Sequence, residues 1–146
     1  MTWPLEYQRA SVDFERFMVM ARDAADLQTT NMAWTMVEGV FHVFRRRLTV
    51  EQAIEFANVL LPLQRALFLE NWKPDGVPAE FLSRNLMTNE ACALRAAHNF
   101  SPPNAIHAVA SAVRGTVDQT ALERVLAKLP PAATEFWALP PVASAA

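Results

Sequence analysis

The sequence predicts an all-helical protein, and three observations support this prediction. The 146-residue chain contains only three glycines, it has no convincing run of alternating polar and apolar residues, and its apolar residues recur at spacings of three and four. Apolar residues make up 52% of the chain and charged residues 19%, which is typical of a folded protein rather than a disordered one. A chain of this length fits one domain with a sizeable core.

The first two helices are predicted from cap residues and apolar stripes. Ser11 or Asp13 can cap a helix that runs to about Leu27. The apolar stripe of this helix contains Phe14, Phe17, Met18 and Ala21. A second helix follows a cap within residues 29–31, and its apolar positions recur at helical spacing: Val37, Val40, Phe41, Phe44 and Leu48.

Two shorter helices complete the first half of the chain. Thr49 and Gln52 have the spacing of a capping box, in which each side chain accepts a hydrogen bond from the other residue's main chain. Pro62 suits the first position of the next helix, because the amide that proline lacks would have no acceptor there. This fourth helix is predicted to end near Trp72, and the turn-forming segment 73–78 separates the two halves.

The second half is predicted to repeat the plan of the first. We expect a helix from Ala79 to about Leu86, a helix capped by Thr88, and a break at Ser101-Pro102-Pro103. An offset of 69 positions matches Val37, Val40, Phe44, Arg45 and Leu48 with Ile106, Val109, Val113, Arg114 and Val117. An offset of 68 positions matches Ala53, Ile54, Glu55, Leu61, Pro62 and Phe68 with Ala121, Leu122, Glu123, Leu129, Pro130 and Phe136.

This duplication predicts a single domain, residues 1–137, built from two degenerate repeats that each contain a helix-turn-helix. The repeats span about residues 12–72 and 79–137, and we expect a pseudo-twofold axis to relate them. Each copy of such a unit leaves an apolar face for its neighbour to cover, so the halves should share one core. Residues 138–146 have no pattern and are expected to form a frayed tail.

Several of these residues also carry a resemblance to a known family. They are Phe17, Val37, Val40, Phe44, Arg47-Leu48, Ala53, Leu61-Pro62, Arg65, Trp72-Lys73-Pro74, Phe81-Leu82 and Leu129-Pro130. In order and spacing they resemble a bacterial family, domain of unknown function 2267, over about residues 12–137. The resemblance implies a small, all-helical, cytoplasmic protein. It brings no catalytic residues with it, because the family has no assigned activity.

Charge and targeting signals narrow the function classes. The formal net charge is −2, so the chain as a whole does not attract nucleic acid, and nucleic-acid binding is not expected. The start of the chain lacks the pattern of a signal peptide, and the apolar stretch 59–69 is too short and too interrupted to span a membrane. With Cys92 as the only cysteine, these features predict a cytoplasmic protein that has no disulfide framework and no membrane partner.

The best candidate site in the sequence is a cluster of Glu38, His42 and His107. Glu38 and His42 lie four residues apart on one flank of the second helix. His107 has the repeat position of Glu38, so a pseudo-symmetric fold could bring the three together at the seam between the halves. A metal site would need further ligands and supporting partners that the spacing does not supply. The preferred interpretation is a solvated pair of Glu38 and His42, and no metal or cofactor is expected.

The run Arg45-Arg46-Arg47 is the one run of like charges in the sequence. The three arginines could bind a phosphate group. A helix C-terminus also favours cations, however, and consecutive side chains on a helix point in directions about 100° apart, so the three do not form one binding surface. The structural interpretation is therefore preferred.

Two charged pairs recur between the halves. Arg45 with Glu55, and Arg114 with Glu123, suggest one ion pair between consecutive helices in each half. Such a pair would have a structural role.

Cysteine chemistry is not expected from this sequence. Cys92 lies in an alanine-rich helix, where a small packing residue is the expected role. His98 lies on a different helical face from Cys92, which leaves the thiol without a base.

The tryptophans are expected mainly in the core. Trp34, Trp72 and Trp137 fit this role, but Trp72 beside Arg65 and Phe68 could instead form an aromatic and basic patch for a partner.

The sequence as a whole predicts a non-enzymatic interaction or regulatory module with an unknown protein partner. The alternative is a small-molecule or metal-binding protein, or an enzyme, that uses the seam between the repeats. No catalytic residue is assigned, and a homo-oligomer is compatible with the pattern. The candidates for contact with a partner are Arg45, Arg46, Arg47, Arg65 and Trp72.

Overall fold

The computed structural model describes residues 2–94 and 101–140, and all regular secondary structure in these two ranges is helical. This confirms the predicted fold class. The helices are α1 (Leu5–Gln8), α2 (Ala10–Ala24), α3 (Thr30–Arg45), α4 (Val50–Ala57), α5 (Pro62–Leu69), α6 (Arg84–Ala93), α7 (Ala105–Arg114), α8 (Gln119–Leu126) and α9 (Pro131–Trp137). None of them is both long enough and apolar enough to cross a bilayer.

Helix α3 is the central element. It packs against α2, α5, α6 and α7, and eleven of its sixteen residues are buried. Gly39 allows the close approach of α6, since a Cβ atom at this position would lie only 2.6 Å from the carbonyl oxygen of Ala91. A helix enclosed on several sides presents few positions to solvent, and this enclosure decides the surroundings of the candidate residues on α3.

The starts of α3 and α4 agree with the predicted caps. The predicted cap of the first long helix was wrong, because Ser11 and Asp13 both lie inside α2, whose cap position is Arg9. Thr29 Oγ1 accepts a hydrogen bond from the Met32 amide at 3.2 Å, and both bonds of the capping box between Thr49 and Gln52 are present. Pro62 is the first residue of α5, as predicted. Capping of this kind depends on local spacing, which explains why the sequence alone predicts it.

Two helices end earlier than predicted, and a left-handed residue follows each of them. Asp26, with φ of 54°, comes after α2, and Asn71, with φ of 55°, comes after α5. Asparagine and aspartate tolerate this conformation better than other non-glycine residues. Helix α5 therefore ends at Leu69, and Trp72 lies beyond it.

The prediction of two helices between residue 79 and the prolines was wrong. Residues 79–83 are not helical, and in the described residues 79–94 one helix, α6, begins at Arg84 with Ser83 as its cap. Thr88 is a buried residue inside α6 and not a cap. The Ala79 amide donates to the Arg46 carbonyl oxygen at 2.9 Å, which fixes the segment before α6 against the end of α3.

Aromatic side chains of both halves meet in one core. Phe44 of the first half lies 4.9 Å from Phe136 and 5.2 Å from Trp137, measured between ring centroids. Trp137 also stacks on Phe56 at 5.3 Å. The order α3–α4–α5 in the first half matches α7–α8–α9 in the second. The pseudo-twofold axis and the single domain over residues 1–137 stay predictions, and residues 141–146 of the expected tail lie outside the described residues.

Candidate functional site

The predicted seam cluster has surroundings different from those expected. Glu38 is only 8% exposed and His42 is half-buried, so the interpretation of a solvated pair was wrong. The reason is that neighbouring helices enclose α3. His107 is half-buried on α7. Within residues 2–94 and 101–140, no three His, Cys, Asp or Glu side chains are grouped so that they could hold a metal ion.

Arg45 is a buried structural residue. Its Nη1 atom donates hydrogen bonds to the carbonyl oxygens of Phe68, at 2.9 Å, and Glu70, at 2.8 Å, at the end of α5. The guanidinium carbon lies 5.9 Å from the centre of the Trp72 ring, which is a cation–π distance. Burial lowers the pKa of Arg45, while the nearby Glu38 and Glu70 act to raise it. The charge thus serves to hold the end of α5 against α3.

Arg46 and Arg47 share one carboxylate on α6. Glu90 accepts from Arg46 Nη1 at 3.0 Å and from Arg47 Nη1 at 2.7 Å. The Arg47 side chain is 1% exposed and also donates to the Val43 carbonyl oxygen, whereas the Arg46 side chain is 55% exposed. The three consecutive arginines therefore face different surroundings, and of the three Arg46 is the one that solvent or a partner can reach.

Arg65 ties the end of α4 to α5. Its guanidinium donates to the carbonyl oxygens of Ala57 and Leu60, each at 3.0 Å, and to the Tyr7 hydroxyl at 3.2 Å. Phe68 is fully buried. Trp72 is thus not joined by Phe68 in an exposed patch.

Other arginines also donate hydrogen bonds to carbonyl oxygens at the ends of helices. The sequence analysis did not predict these contacts. Arg84 donates to three carbonyl oxygens at the end of α9, and Arg114 donates to a fourth, that of Trp137, at 2.6 Å. Arg16 donates to the Gly115 carbonyl oxygen after α7. The last carbonyl oxygens of a helix accept no hydrogen bond from within that helix, and a guanidinium has enough N–H donors to bond to several of them at once.

The predicted ion pairs are present in one half only. Arg114 Nη1 lies 2.6 Å from Glu123 Oε1. Within the described residues Arg45 makes no ion pair with Glu55, because its guanidinium is directed to the end of α5.

Cys92 is half-buried, and its thiol donates to the Ser101 carbonyl oxygen at 3.4 Å. Burial raises the pKa of this thiol, which favours the unreactive protonated form. His98, considered above as its partner, lies outside the described residues.

The candidate site is a concave region that we call the basic pocket. It lies between the end of α3, the start of α4 and the segment 72–78, and its volume is about 300 Å³. It is lined by His42, Arg45, Arg46, Leu48, Thr49, Val50, Trp72, Lys73, Pro74, Asp75, Gly76, Val77 and Pro78. It therefore includes three of the five predicted partner-contact residues.

Positive charge predominates in the basic pocket. Arg46 and Lys73 supply positive charge that solvent can reach, and buried Arg45 lies behind them. Asp75 is the one carboxylate among the lining residues, and Arg46 also pairs with Glu90 outside the pocket. The first turn of α4 also faces the pocket through Thr49 and Val50, and the start of a helix carries a partial positive charge. An acidic group is the ligand that this arrangement favours.

The sequence alone could have supplied only part of this site. Trp72 and Lys73 follow each other in the chain, and Arg45 belongs to the charge run. Other parts of the wall come from the start of α4 and from residues 76–78. Residues 76–78 lie near the end of α3 because the next residue, Ala79, is hydrogen-bonded to the Arg46 carbonyl oxygen.

Comparison with known proteins places the chain in one family. A search of curated proteins found no match. The family model for "Uncharacterized conserved protein (DUF2267)" matches residues 14–136, which covers every helix from α3 to α8, most of α2 and all of α9 except its last residue. Since this match spans well over half of the sequence, the chain belongs to the family of uncharacterized conserved proteins DUF2267.

Proposed function

We propose that the protein is a non-enzymatic interaction module, and that the basic pocket receives an acidic segment of a partner protein. The observation that carries this proposal is the combination of excess positive charge and an aromatic wall in one concave site. Complementary charge gives such a site its selectivity and speeds the encounter with a partner.

The shape of the basic pocket favours a protein segment over a free ion. Its rim carries apolar side chains that remain exposed, with Val77 at 94% and Val50 at 46%. Half-buried Trp72 is held in place over Arg45. Tryptophan and arginine are enriched among the residues that dominate binding at protein interfaces. A segment with an acidic residue next to an apolar one would use both features.

The supporting chemistry fits a reducing compartment. Cys92 is the single cysteine of the sequence, so no disulfide can form within it. We therefore place the interaction in the cytoplasm.

The test is a selection from a library of short random peptides displayed on phage, with the full-length protein immobilised. We expect the selected peptides to be enriched in Asp and Glu. Lys73→Glu should weaken the binding of a selected peptide at least about tenfold, because it replaces an attraction by a repulsion.

The sequence provides a matched control for this substitution. Lys73 and Lys128 are the two lysines of the chain, and Lys128 lies elsewhere, in a cleft between α4 and α8. Lys128→Glu changes the net charge equally and should leave peptide affinity nearly unchanged. Selection without acidic enrichment, or equal losses for both variants, would contradict the proposal.

A further inference from the structure

A second cavity, which we call the α6–α9 groove, lies between the start of α6 and α9. Its volume is about 380 Å³, and apolar side chains form most of its wall. Leu82 and Met87 contribute from the α6 side, and Ala132 and Phe136 contribute from α9. Small-molecule sites are concave and mostly apolar, with a few placed polar groups and volumes from about 300 Å³ upward. The groove shares no lining residue with the basic pocket.

Arg84 supplies a fixed positive charge in the wall of the α6–α9 groove. Its Nη2 atom donates to the carbonyl oxygens of Glu135 at 2.9 Å, Phe136 at 2.7 Å and Ala138 at 3.1 Å. These three contacts hold the guanidinium in place. Its Nη1 and Nε atoms make no hydrogen bond within residues 2–94 and 101–140.

The electrostatic surroundings of Arg84 favour an anionic acceptor. Burial lowers the pKa of its guanidinium, which means that the charge has lost part of its hydration. A partly desolvated cation with unused donors gains from a carboxylate, which can accept a charge-assisted hydrogen bond from Nη1 or from Nε.

Glu135 also lines the groove and carries the opposite charge. It is exposed, and Arg84 contacts its main-chain oxygen, while no ion pair joins the two side chains in the described part of the chain. Water and salt weaken the influence of an exposed carboxylate. The Arg84 guanidinium therefore stays available to an incoming acid.

We propose that the α6–α9 groove binds a small amphipathic carboxylic acid, with its apolar chain against Met87 and Phe136 and its carboxylate on Arg84. The volume of the groove, about 380 Å³, lies within the range of small-molecule sites. This site is independent of the basic pocket, so it can be present whether or not that pocket receives a partner protein.

The test compares octanoate with octan-1-ol by isothermal titration calorimetry on the full-length protein. Both ligands have eight carbon atoms, and only octanoate has a carboxylate. We expect octanoate to bind at least about tenfold more tightly than the alcohol, since a hydrogen-bonded charge pair contributes that much.

Three variants test the location of the binding site and the role of Arg84. Ala132→Trp fills the groove and should abolish binding of both ligands, whereas Ala66→Trp adds the same side chain to an apolar cleft beside α5 and should change neither affinity. Arg84→Gln should make the affinities for octanoate and octan-1-ol equal. Because Arg84 also ties the end of α9, circular dichroism checks that this variant folds.

Three results of these binding measurements would contradict the proposed carboxylate site. Absence of saturable octanoate binding, equal affinity of the wild-type protein for both ligands, or unchanged binding to Ala132→Trp would each overturn it. If Arg84→Gln does not fold, the comparison of the two ligands together with the two tryptophan variants still decides.

Discussion

At the scale of single residues, three arginines connect neighbouring helices through hydrogen bonds to main-chain oxygens. Arg45, Arg65 and Arg84 each direct a guanidinium to main-chain oxygens at the end of a helix other than their own or at the preceding corner. A guanidinium has several donors in a rigid plane, whereas the ammonium group of lysine is a point charge on a flexible chain. Replacement of these arginines by lysine is therefore not a conservative change.

Arg45→Lys should lower the free energy of unfolding by about 1–3 kcal/mol, because it leaves carbonyl groups at the end of α5 without their donor. Urea denaturation followed by circular dichroism measures the change. Arg46→Lys is the matched control, since the Arg46 side chain is 55% exposed and makes one surface ion pair, so we expect a change below about 1 kcal/mol. Equal changes for both variants would show that the carbonyl contacts do not stabilise the fold.

Gly39→Ala should destabilise the protein by about 1–3 kcal/mol, because the new methyl group would lie 2.6 Å from the main chain of Ala91 and would push α6 away from α3. Gly115→Ala is the control. At that position the new methyl group meets the end of the Met20 side chain, which is flexible and can move aside. Thermal unfolding measures the stability of both variants, and we expect Gly39→Ala to be the less stable one. A larger loss of stability in Gly115→Ala would refute this prediction.

The sequence did not predict these residue-level roles for a physical reason. A helical apolar pattern identifies which residues are buried, as it did for Phe41 and Phe44. The direction of a long charged side chain depends on which element lies across from it. The prediction for Arg114 and Glu123 was correct and the equivalent one for Arg45 and Glu55 was wrong, although the spacings are nearly the same.

At the scale of helices, local capping chemistry explains most of the successful predictions. The box formed by Thr49 and Gln52 and the proline at the start of α5 were read directly from spacing. The segment 79–83 was predicted as the start of a helix that runs to about Leu86, but it is not helical, and its Ala79 amide bonds to the Arg46 carbonyl oxygen just after α3. Local signals predicted the starts of α3, α4 and α5, but they failed for α2 and α6, where the predicted cap residues Ser11, Asp13 and Thr88 lie inside the helix.

Thr49→Ala should cost about 1 kcal/mol, because it removes the oxygen that accepts from the Gln52 amide. Urea denaturation measures the loss. Thr120→Ala serves as the control, since Thr120 is an exposed residue inside α8 where alanine is a better helix former, so we expect no loss there. If both variants lost the same stability, the capping explanation would fail.

At the scale of the whole molecule, aromatic side chains of the two halves contact each other, so each half supplies part of the core of the other. Phe44 and Phe56 of the first half contact Trp137 of the second. The sequence duplication predicted this shared core, since matched apolar positions imply faces that cover each other. The basic pocket and the α6–α9 groove could not be predicted in the same way, because each is assembled from segments that are distant in the chain.

The full-length chain should therefore unfold in a single transition. Far-ultraviolet circular dichroism and near-ultraviolet aromatic signals should give coincident urea curves. A fragment of residues 1–76 should show no cooperative transition, because Phe44 and Phe56 lose the contact with Trp137. A sigmoidal unfolding curve for that fragment would mean that the first half folds independently.

The arginine contacts at helix ends also affect which substitutions the chain tolerates during evolution. Every residue type offers the same main-chain oxygen, so Phe68 and Glu70 could be exchanged for other residues without loss of the acceptors that Arg45 uses. Such a contact would leave no trace of correlated substitution between its two ends, in contrast to the side-chain pairing of Glu90 with Arg46 and Arg47. Methods that infer contacts from covariation would thus detect the second kind of link and overlook the first.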